Sequence, residues 1–437
     1  YGNTIGRDLW NALGDASGRD VAAFMDSWLE QPGYPVLTAV VENDTLKISQ
    51  KQFFIGEHED QGRQWVVPLN SNWSGIPDTL ETETLEIPGY AALAAANKEP
   101  LRFNTENTAH YITDYQGELL DAIVDNMASL DNLSKQQILQ ERRLLAESGV
   151  ISYASLLPVI EKLTQESSYL VVSAVSSILQ GLSLFVDEGT EVEEAYKALL
   201  VTFNQFNFER LGFEPKAGEA DEDEMVRQLV IANMIKGDDA EASAKASEIY
   251  AAHADDISKL PAAIRLQILI NQIKHHECKE LTALYLTTYA QATDGNFKRQ
   301  LSTALAYTND AETVEKILTE WKNKDVVKPQ DLAMSWYFTF LHHDFTQESA
   351  WTWARENWEW VKAALGGDMS FDKFVIYPAN TFKTAERLAE FKAFFEPQLS
   401  DLAISRNISM GIKEISARID LIDKEKAAVE AAIQATV

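Results

Sequence analysis

The hydrophobic pattern of this chain changes its period at Pro32 and Pro35, and this change restricts the folds that the chain can adopt. Upstream, Leu9, Trp10 and Leu13 recur at the spacing of an amphipathic helix. Downstream, residues 36–41 have the period of a β-strand. Proline blocks the continuation of a helix and favours an extended residue before it. We therefore predict a joint between a helical region and a β region.

The helical region before the joint is short. Gly18 is predicted to end one helix and Asp20 to begin another within residues 6–31. Two such helices are too few to bury their own apolar faces, so we expect them to be the tail of a larger upstream domain. The chain is accordingly expected to start inside a longer protein.

Short strand-like runs follow the joint as far as residue 87. Asn43 and Asp44 lie between two of these runs and suit a two-residue hairpin turn, because both residues tolerate positive φ. Further runs occur at residues 52–55, 64–68 and 79–87, separated by turn-rich segments. Together these strands predict a small β-sandwich.

Helical patterns dominate from residue 117 to the end of the chain, and strand signals almost disappear. The loops between the predicted helices are short, so neighbouring helices are expected to be antiparallel pairs. Repeated helix–loop–helix units predict an α-solenoid, a superhelix of the HEAT or armadillo type. The expected fold is multidomain and mainly α. It has a helical tail of a catalytic domain at residues 1–33, a β-sandwich at 34–110 and a helical superhelix at 111–437.

The charge and composition of the chain exclude several classes of partner. Its 437 residues include 38 Lys and Arg against 67 Asp and Glu, a net charge of -29. This charge repels phosphate backbones and anionic lipids, so neither nucleic acid nor a membrane is an expected partner. No apolar run reaches the length of a membrane span. Cys278 is the only cysteine, which fits a reducing compartment, and a cytoplasmic location is expected.

The residues that could bind zinc do not form a known motif. A zinc peptidase of the His-Glu-x-x-His type needs two histidines four residues apart on a helix. His58 and His276 are each followed by glutamate, but Gly62 and Glu280 occupy the position of the second histidine. We therefore predict no metal ligand, no catalytic residue and no cofactor-binding residue in this chain.

Two histidine pairs and the single cysteine are weaker candidates. His275 and His276 are adjacent, as are His342 and His343, and adjacent side chains on a helix point about 100° apart. Each pair is therefore interpreted as closing the C-terminal end of a helix rather than holding a metal. Cys278 as a nucleophile would need a paired base, so a structural role is favoured.

Four tryptophans fall within one predicted helix at residues 348–365. Trp351, Trp353, Trp358 and Trp360 could form a platform for a carbohydrate or another ligand. Their spacing distributes them around much of the helix, which favours burial between neighbouring helices over a ligand surface. The nucleophile elbow, the P-loop and the dinucleotide fingerprint are all absent from the sequence.

Several phrases of the chain resemble the gluzincin aminopeptidases, the aminopeptidase N family. The most specific runs from Trp28 to Pro35 and resembles the phrase W-x-x-Q-x-G-Y-P, which leads from the thermolysin-like catalytic domain of that family into a β-sandwich. Many members carry an arginine after the tyrosine that corresponds to Tyr111, whereas this chain has Ile112. Similar phrases extend over nearly the whole chain, at residues 8–10, 65–69, 104, 110–115, 141–149, 166–169 and 381–395.

This resemblance implies a zinc exopeptidase whose helical domain folds over the active site as a bowl and admits peptides. It also implies that the zinc helix, the third zinc ligand and the loop that captures the substrate amine all precede Tyr1. The chain is thus expected to be the C-terminal portion of a cytoplasmic zinc metallo-aminopeptidase, inactive alone, with zinc in the parent enzyme and peptides as its substrates. A free-standing α-solenoid scaffold that binds protein partners, and a helical enzyme with an unrecognised site, remain alternatives.

Overall fold

The computed structural model describes residues 2–56 and 58–437. The chain divides into two compact units, Tyr1–Gly181 and Leu182–Val437. The expectation of a mainly helical chain with a small sheet and a C-terminal helical region is confirmed. The domain limits predicted after residues 33 and 110 stay predictions. Among the described residues, no helix combines the length and hydrophobicity that crossing a bilayer requires.

The first unit opens with the two predicted short helices, α1 (Gly6–Ser17) and α2 (Val21–Leu29). Gly18 ends α1 with a left-handed φ of 70°, a conformation that glycine adopts without steric cost. Asp20 begins α2, and its side chain accepts the backbone N–H of Ala23 at 2.9 Å. Both helix ends are therefore where the sequence predicted them.

Within the described residues of the first unit, six strands form two sheets. The four-stranded sheet has the order β5-β2-β1-β6, in which only the β1–β6 pair is parallel, and β3 and β4 form a separate antiparallel pair. The packing of the two sheets as a sandwich stays a prediction. The strands are β1 (Pro35–Glu42), β2 (Thr45–Gln52), β3 (Val67–Pro68), β4 (Thr79–Leu80), β5 (Thr84–Pro88) and β6 (Ile112–Tyr115).

The hairpin between β1 and β2 has the predicted turn. Asn43 and Asp44 have φ values of 50° and 59°, and Glu42 pairs with Thr45 across them. Positive φ at both central residues defines a type I′ turn, whose twist matches that of the flanking strands.

Strand β6 was not predicted as a strand. All four of its residues are buried, and they include the polar Thr113 and Asp114. A parallel strand that is covered on both faces loses the alternation by which strands are usually recognised. Its pairing partner is also distant in sequence, since Val36 lies opposite Ile112.

The rest of the first unit is helical, and its longest helix, α5, packs on strand β6. These helices are α3 (Tyr90–Ala96), α4 (Glu118–Asp125), α5 (Asn132–Glu147), α6 (Leu157–Ile160) and α7 (Tyr169–Leu182), the last of which ends at the limit between the units.

The described second unit is built from helices, and several consecutive helices contact each other as pairs: α8–α9, α10–α11, α12–α13 and α16–α17. A π-helical segment, Leu332–Tyr337, lies between α15 and α16. The helices are α8 (Glu191–Leu211), α9 (Asp223–Lys236), α10 (Ala240–Ala252), α11 (Arg265–His276), α12 (Lys279–Gln291), α13 (Gly295–Leu305), α14 (Ala311–Glu320), α15 (Pro329–Asp331), α16 (Phe338–Leu341), α17 (Asp344–Glu356), α18 (Trp358–Leu365), α19 (Lys373–Thr381), α20 (Ala385–Phe395) and α21 (Ser405–Thr436).

The long final helix contacts both ends of the second unit. It packs on α19 and α20, and it also packs on α8 at the beginning of the unit. Gly411 permits the close approach, because a Cβ atom there would lie 2.7 Å from the Cβ of Ala379 and 3.0 Å from the Cζ of Phe391. In a regular solenoid each repeat touches only its neighbours. The superhelix therefore stays a prediction.

Candidate functional site

The two family phrases nearest the joint contact each other. The indole Nε1 of Trp28 donates to the carbonyl of Val66 at 3.0 Å, and the Nε2 of Gln31 donates to the carbonyl of Gln64 at 2.6 Å. The backbone N–H of Val66 in turn donates to the Oγ of Ser27 at 3.2 Å. These hydrogen bonds hold the end of α2 against the segment that enters β3.

Two buried glutamines of β2 complete this joint. Gln50 exchanges two hydrogen bonds of 2.9 Å with the backbone of Trp65. Gln52 donates to the carbonyl of Pro32 at 3.2 Å. Gly33 has a φ of 89°, and a Cβ atom there would lie 2.5 Å from the Nε2 of Gln52. Only glycine therefore fits this position, which gives the glycine of the family phrase a physical role.

Glu141 on α5 is a buried acid that sequence reasoning did not single out. Its carboxyl accepts the backbone N–H of Thr113 at 3.2 Å and the Nε2 of Gln137 at 2.8 Å. Burial raises the pKa of Glu141 to about 8. The adjoining cavity has a volume of about 10 Å³, enough for about one water molecule. A substrate does not fit there, so we assign Glu141 a structural role.

The described residues do not supply a donor set for zinc. No group of three His, Cys, Asp or Glu side chains converges within residues 2–56 and 58–437. His58 stacks on the ring of Phe54 at 4.1 Å, and its Nδ1 lies 3.0 Å from the carbonyl of Gly56. The zinc that the family resemblance implies does not fit these residues, and the absence of metal ligands from the whole chain stays a prediction.

The first histidine pair lies at a helix end, as predicted. His275 and His276 are in the last turn of α11, and their ring centroids are 6.4 Å apart. His276 interacts with the Oγ of Ser247 at 3.2 Å, whereas His275 lies 3.7 Å from Asp238. Burial lowers the pKa of His275, and the charge of Lys274 lowers it further. The two rings therefore have different partners rather than one shared ligand.

The second pair divides between two helices. His342 follows the last residue of α16, and its Nδ1 lies 2.7 Å from the carbonyl of Phe338. His343 begins α17, and its ring lies 4.0 Å from that of Tyr307. Burial, followed by the charges of His342 and Lys236, lowers the pKa of His343 to about 4. The predicted end position is confirmed for His342, whereas His343 starts the next helix.

The lone cysteine lies at a helix start. Cys278 is exposed and immediately precedes α12. In the described part of the chain, no hydrogen bond joins its sulfur to a histidine. A cysteine nucleophile needs such a base, so the structural interpretation of Cys278 stays the favoured one.

The tryptophans are mostly buried, as the helical spacing favoured. Trp351, Trp353 and Trp358 are buried, whereas Trp360 is partly exposed. Trp351 packs on three phenylalanines, and its Nε1 donates to Glu390 at 2.9 Å. The predicted single helix is broken at one residue into α17 and α18. These rings therefore belong to the hydrophobic core and do not form an exposed ligand platform.

A surface cleft of about 590 Å³ lies between α14 and α17. Its apolar lining includes Val314, Leu318 and Trp353, and Glu315 and Glu356 add carboxylates. The volume is within the range of ligand-binding clefts. The lining has no histidine or cysteine, and it offers apolar and acidic surface for binding.

Comparison with known proteins places the chain in a family. Residues 101–417 match the family model described as the ERAP1-like C-terminal domain. A protein named aminopeptidase N from Lactococcus lactis subsp. lactis is 57% identical over 435 residues, which cover 99% of this chain and 51% of that protein. A second aminopeptidase N, from strain IL1403 of that subspecies, is 50% identical with the same coverage.

A more distant relative has a different name. The puromycin-sensitive aminopeptidase of Caenorhabditis elegans is 24% identical over 449 residues, which cover 98% of this chain and 47% of that protein. The chain thus spans about half the length of these curated relatives. The resemblance found in the joint and helical phrases is confirmed. The chain belongs to the ERAP1-like C-terminal domain family, and it matches the C-terminal region of proteins named aminopeptidase N.

Proposed function

We propose that this chain acts as the C-terminal portion of a zinc metallo-aminopeptidase that removes N-terminal amino acids from peptides. The observation that carries the proposal is the 57% identity to an aminopeptidase N over 99% of the chain but only 51% of that relative. The described residues have no converging zinc ligands. The catalytic apparatus is then expected in the other half of the protein.

In this proposal residues 1–33 are the end of the catalytic domain, and the β-sandwich of residues 34–110 is a spacer. Helix α1 buries none of its residues, and Ile5, Leu9 and Leu13 are 66%, 54% and 44% exposed. An apolar helix face of this kind is normally covered by another part of a protein. The hydrogen bonds between α2 and the residues before β3 would transmit the position of the helices to the sheet.

The helical part of the chain, residues 111–437, is proposed to be the lid of the peptide chamber. The described residues of this part contain no group of three potential metal ligands, which suits a part that shapes a chamber rather than one that performs chemistry. Peptides are the proposed substrates, reached through the catalytic half, and the cytoplasm is the proposed location. The net charge of -29 supports a partner other than nucleic acid or an anionic membrane.

The first test uses the purified chain. We expect no stoichiometric zinc by metal analysis and no hydrolysis of aminoacyl-arylamides. Addition of a separately produced catalytic half from the same gene should restore hydrolysis. One tightly bound zinc per chain, or hydrolysis by the chain alone, would overturn the proposed division of roles.

A second test addresses the exposed face of α1. The double variant Leu9→Asp and Leu13→Asp should abolish restoration, because charges would be buried at the expected contact. Leu402→Asp is the matched control, since Leu402 is also an exposed leucine but lies in the second unit. Equal restoration by the double variant and the control would show that α1 does not contact the catalytic half.

A free-standing helical scaffold that binds protein partners is the second candidate. The apolar cleft between α14 and α17 is the observation that favours it. The upstream gene sequence distinguishes the two proposals. A His-Glu-x-x-His helix with a downstream glutamate supports the peptidase, whereas an initiating Met close to Tyr1 supports the scaffold.

A further inference from the structure

The surface cleft between α14 and α17 has a rigid aromatic wall. The centroid of the Trp353 ring lies 5.0 Å from that of Trp321 and 5.9 Å from that of Trp360, and both contacts are edge-to-face. Trp321 is fully buried, so it holds the Trp353 ring from the side of the core. The wall is therefore in place before a ligand arrives.

Two rows of side chains line this cleft. Val314 and Leu318 are four residues apart on α14, and Phe345, Ser349 and Trp353 follow the same spacing on α17. Residues with this spacing share one face of a helix. The Phe345 side chain is 45% exposed, although phenylalanine is usually buried. The cleft thus leaves apolar surface open to a partner.

The charged side chains of the lining are two glutamates and one lysine. Glu315 on α14, Glu356 on α17 and Lys322, which follows α14, are all exposed. Within the described residues, none of the three has an oppositely charged atom within 4.0 Å. Two carboxylates against one ammonium leave the lining with one excess negative charge. Both carboxylates are therefore available to a ligand.

Other glutamates on the same two helices do have partners. Glu312 on α14 pairs with Lys279 at 2.5 Å. Glu348 on α17 lies 3.6 Å from Arg355, and its carboxyl accepts a hydrogen bond from Thr352 at 2.8 Å. The lack of an ion pair therefore distinguishes the glutamates of the cleft from those beside it.

The chemistry of the lining favours one kind of occupant. The two glutamates and the net charge of -29 would repel a carboxylate or a phosphate. A wholly apolar ligand would cover Glu315 and Glu356 without supplying a counter-charge, and desolvating an unpaired charge costs free energy. A ligand that carries a cation next to a bulky apolar group matches both the carboxylates and the aromatic wall. In a polypeptide, arginine beside phenylalanine has this chemistry.

We propose that the cleft between α14 and α17 binds a segment of a partner protein in which arginine neighbours bulky apolar residues. The apolar side chains would pack on Val314, Phe345 and Trp353. The guanidinium would donate charge-assisted hydrogen bonds to Glu315 or Glu356, which are stronger than neutral ones. The volume of about 590 Å³ suits a few side chains of such a segment. The site needs neither zinc nor the catalytic half, so it goes beyond the proposed peptidase function.

The main test measures the binding of a defined peptide by the full chain. The probe is Gly-Phe-Arg-Phe-Gly with an acetylated N-terminus and an amidated C-terminus, so that it represents an internal segment of a protein. A matched peptide carries glutamine in place of arginine. In calorimetric titrations, the wild type should bind the arginine peptide about tenfold or more tightly than the glutamine peptide. This comparison needs no protein variant, so misfolding of a variant does not affect it.

A double variant tests the two carboxylates. Glu315→Gln with Glu356→Gln should remove most of the preference for arginine. Glu241→Gln with Glu386→Gln is the matched control, because both are exposed glutamates that do not line the cleft. This control removes the same charge from the chain and should keep the preference.

A second pair of variants tests the apolar surface. Phe345→Ala should weaken binding of the arginine peptide about fivefold or more. Phe338→Ala is the matched control, since Phe338 is 40% exposed on α16 and does not line the cleft. Equal binding by the wild type and Phe345→Ala would contradict the proposed position of the peptide.

The remaining outcomes also decide the proposal. An arginine preference that is lost only in the Glu315 and Glu356 double variant supports the site. No binding by the wild type, or equal affinity for the arginine and glutamine peptides, overturns it. Equal loss in both double variants would show a general effect of net charge and would also overturn it. Tighter binding of the same peptide with a free N-terminus would identify a peptide end as the ligand and overturn the internal segment.

Discussion

The burial of Glu141 leads to a prediction about how the free energy of unfolding depends on pH. The side chain is 5% exposed between α5 and β6, and burial raises its pKa from an ordinary 4.5 to about 8. The carboxyl is therefore protonated in the folded chain at neutral pH but ionised in the unfolded chain. We predict that Glu141→Gln, which removes the ionisation, changes how stability depends on pH.

The sign and size of the effect follow from linkage. Between pH 4.5 and about 8 the folded chain keeps a proton that the unfolded chain loses. The contribution of Glu141 to stability is thus fully present below pH 4.5 and is lost as the pH rises to about 8. One proton corresponds to about 1.4 kcal/mol per pH unit, which gives an upper limit of about 5 kcal/mol over this window.

The Glu141→Gln variant is expected to gain stability at alkaline pH. Its new amide group has one oxygen for the two donors, Thr113 and Gln137, and the lost acceptor costs about 1 to 2 kcal/mol. The variant should therefore be slightly less stable than the wild type at pH 5. At pH 8 it should be more stable by about 3 kcal/mol.

Urea unfolding followed by circular dichroism at several pH values measures this difference. Glu118→Gln is the matched control, because Glu118 is an exposed glutamate of the same unit. The free energy of unfolding of this control should depend on pH in the same way as that of the wild type. The opposite result for Glu141→Gln is a free energy of unfolding that follows that of the wild type at every pH between 5 and 8. That result would refute the conclusion that Glu141 is protonated in the folded chain.

Three further substitutions, the first with a matched control, test the packing of the chain. Gly33→Ala should lower the free energy of unfolding by about 1 to 3 kcal/mol, because φ is 89° and the new Cβ would lie 2.5 Å from Gln52. In urea denaturation, Gly295→Ala should have little effect, since its Cβ would meet open space. Trp351→Ala should cost about 3 to 5 kcal/mol by leaving a cavity, which calorimetry would show as a lower melting temperature. Asn43→Val should destabilise the hairpin by about 1 to 2 kcal/mol, as seen in faster amide exchange of β1, because valine opposes a φ of 50°.

The local structure was largely predictable from short phrases of sequence. Gly18, Asp20 and the Asn43–Asp44 turn act through their own φ angles or through hydrogen bonds to residues at most three positions away. Such features are determined by neighbours along the chain, so the sequence contains all the information that decides them.

Two features that were not predicted, the buried glutamines of β2 and the helix break at Asn357, had a signal in the sequence. Leu46 and Ile48 occupy alternate positions of β2, and their side chains are buried. Gln50 and Gln52 follow at the next two alternate positions, so they lie on the same face of the strand. The period therefore indicated burial, although glutamine is usually exposed. The break at Asn357, between α17 and α18, had a weaker signal. Its side chain donates to the carbonyl of Trp353 at 2.8 Å, a local contact that competes with the helix.

The sequence by itself determined the helix ends, the hairpin turn and the family phrases of this protein. Only the tertiary structure decided that β6 pairs with β1, and that the Trp28 phrase contacts the residues before β3. The physical reason is the range of the interactions. A turn or a cap depends on a few adjacent residues, whereas these contacts depend on burial and charge contributed by segments far apart in the chain.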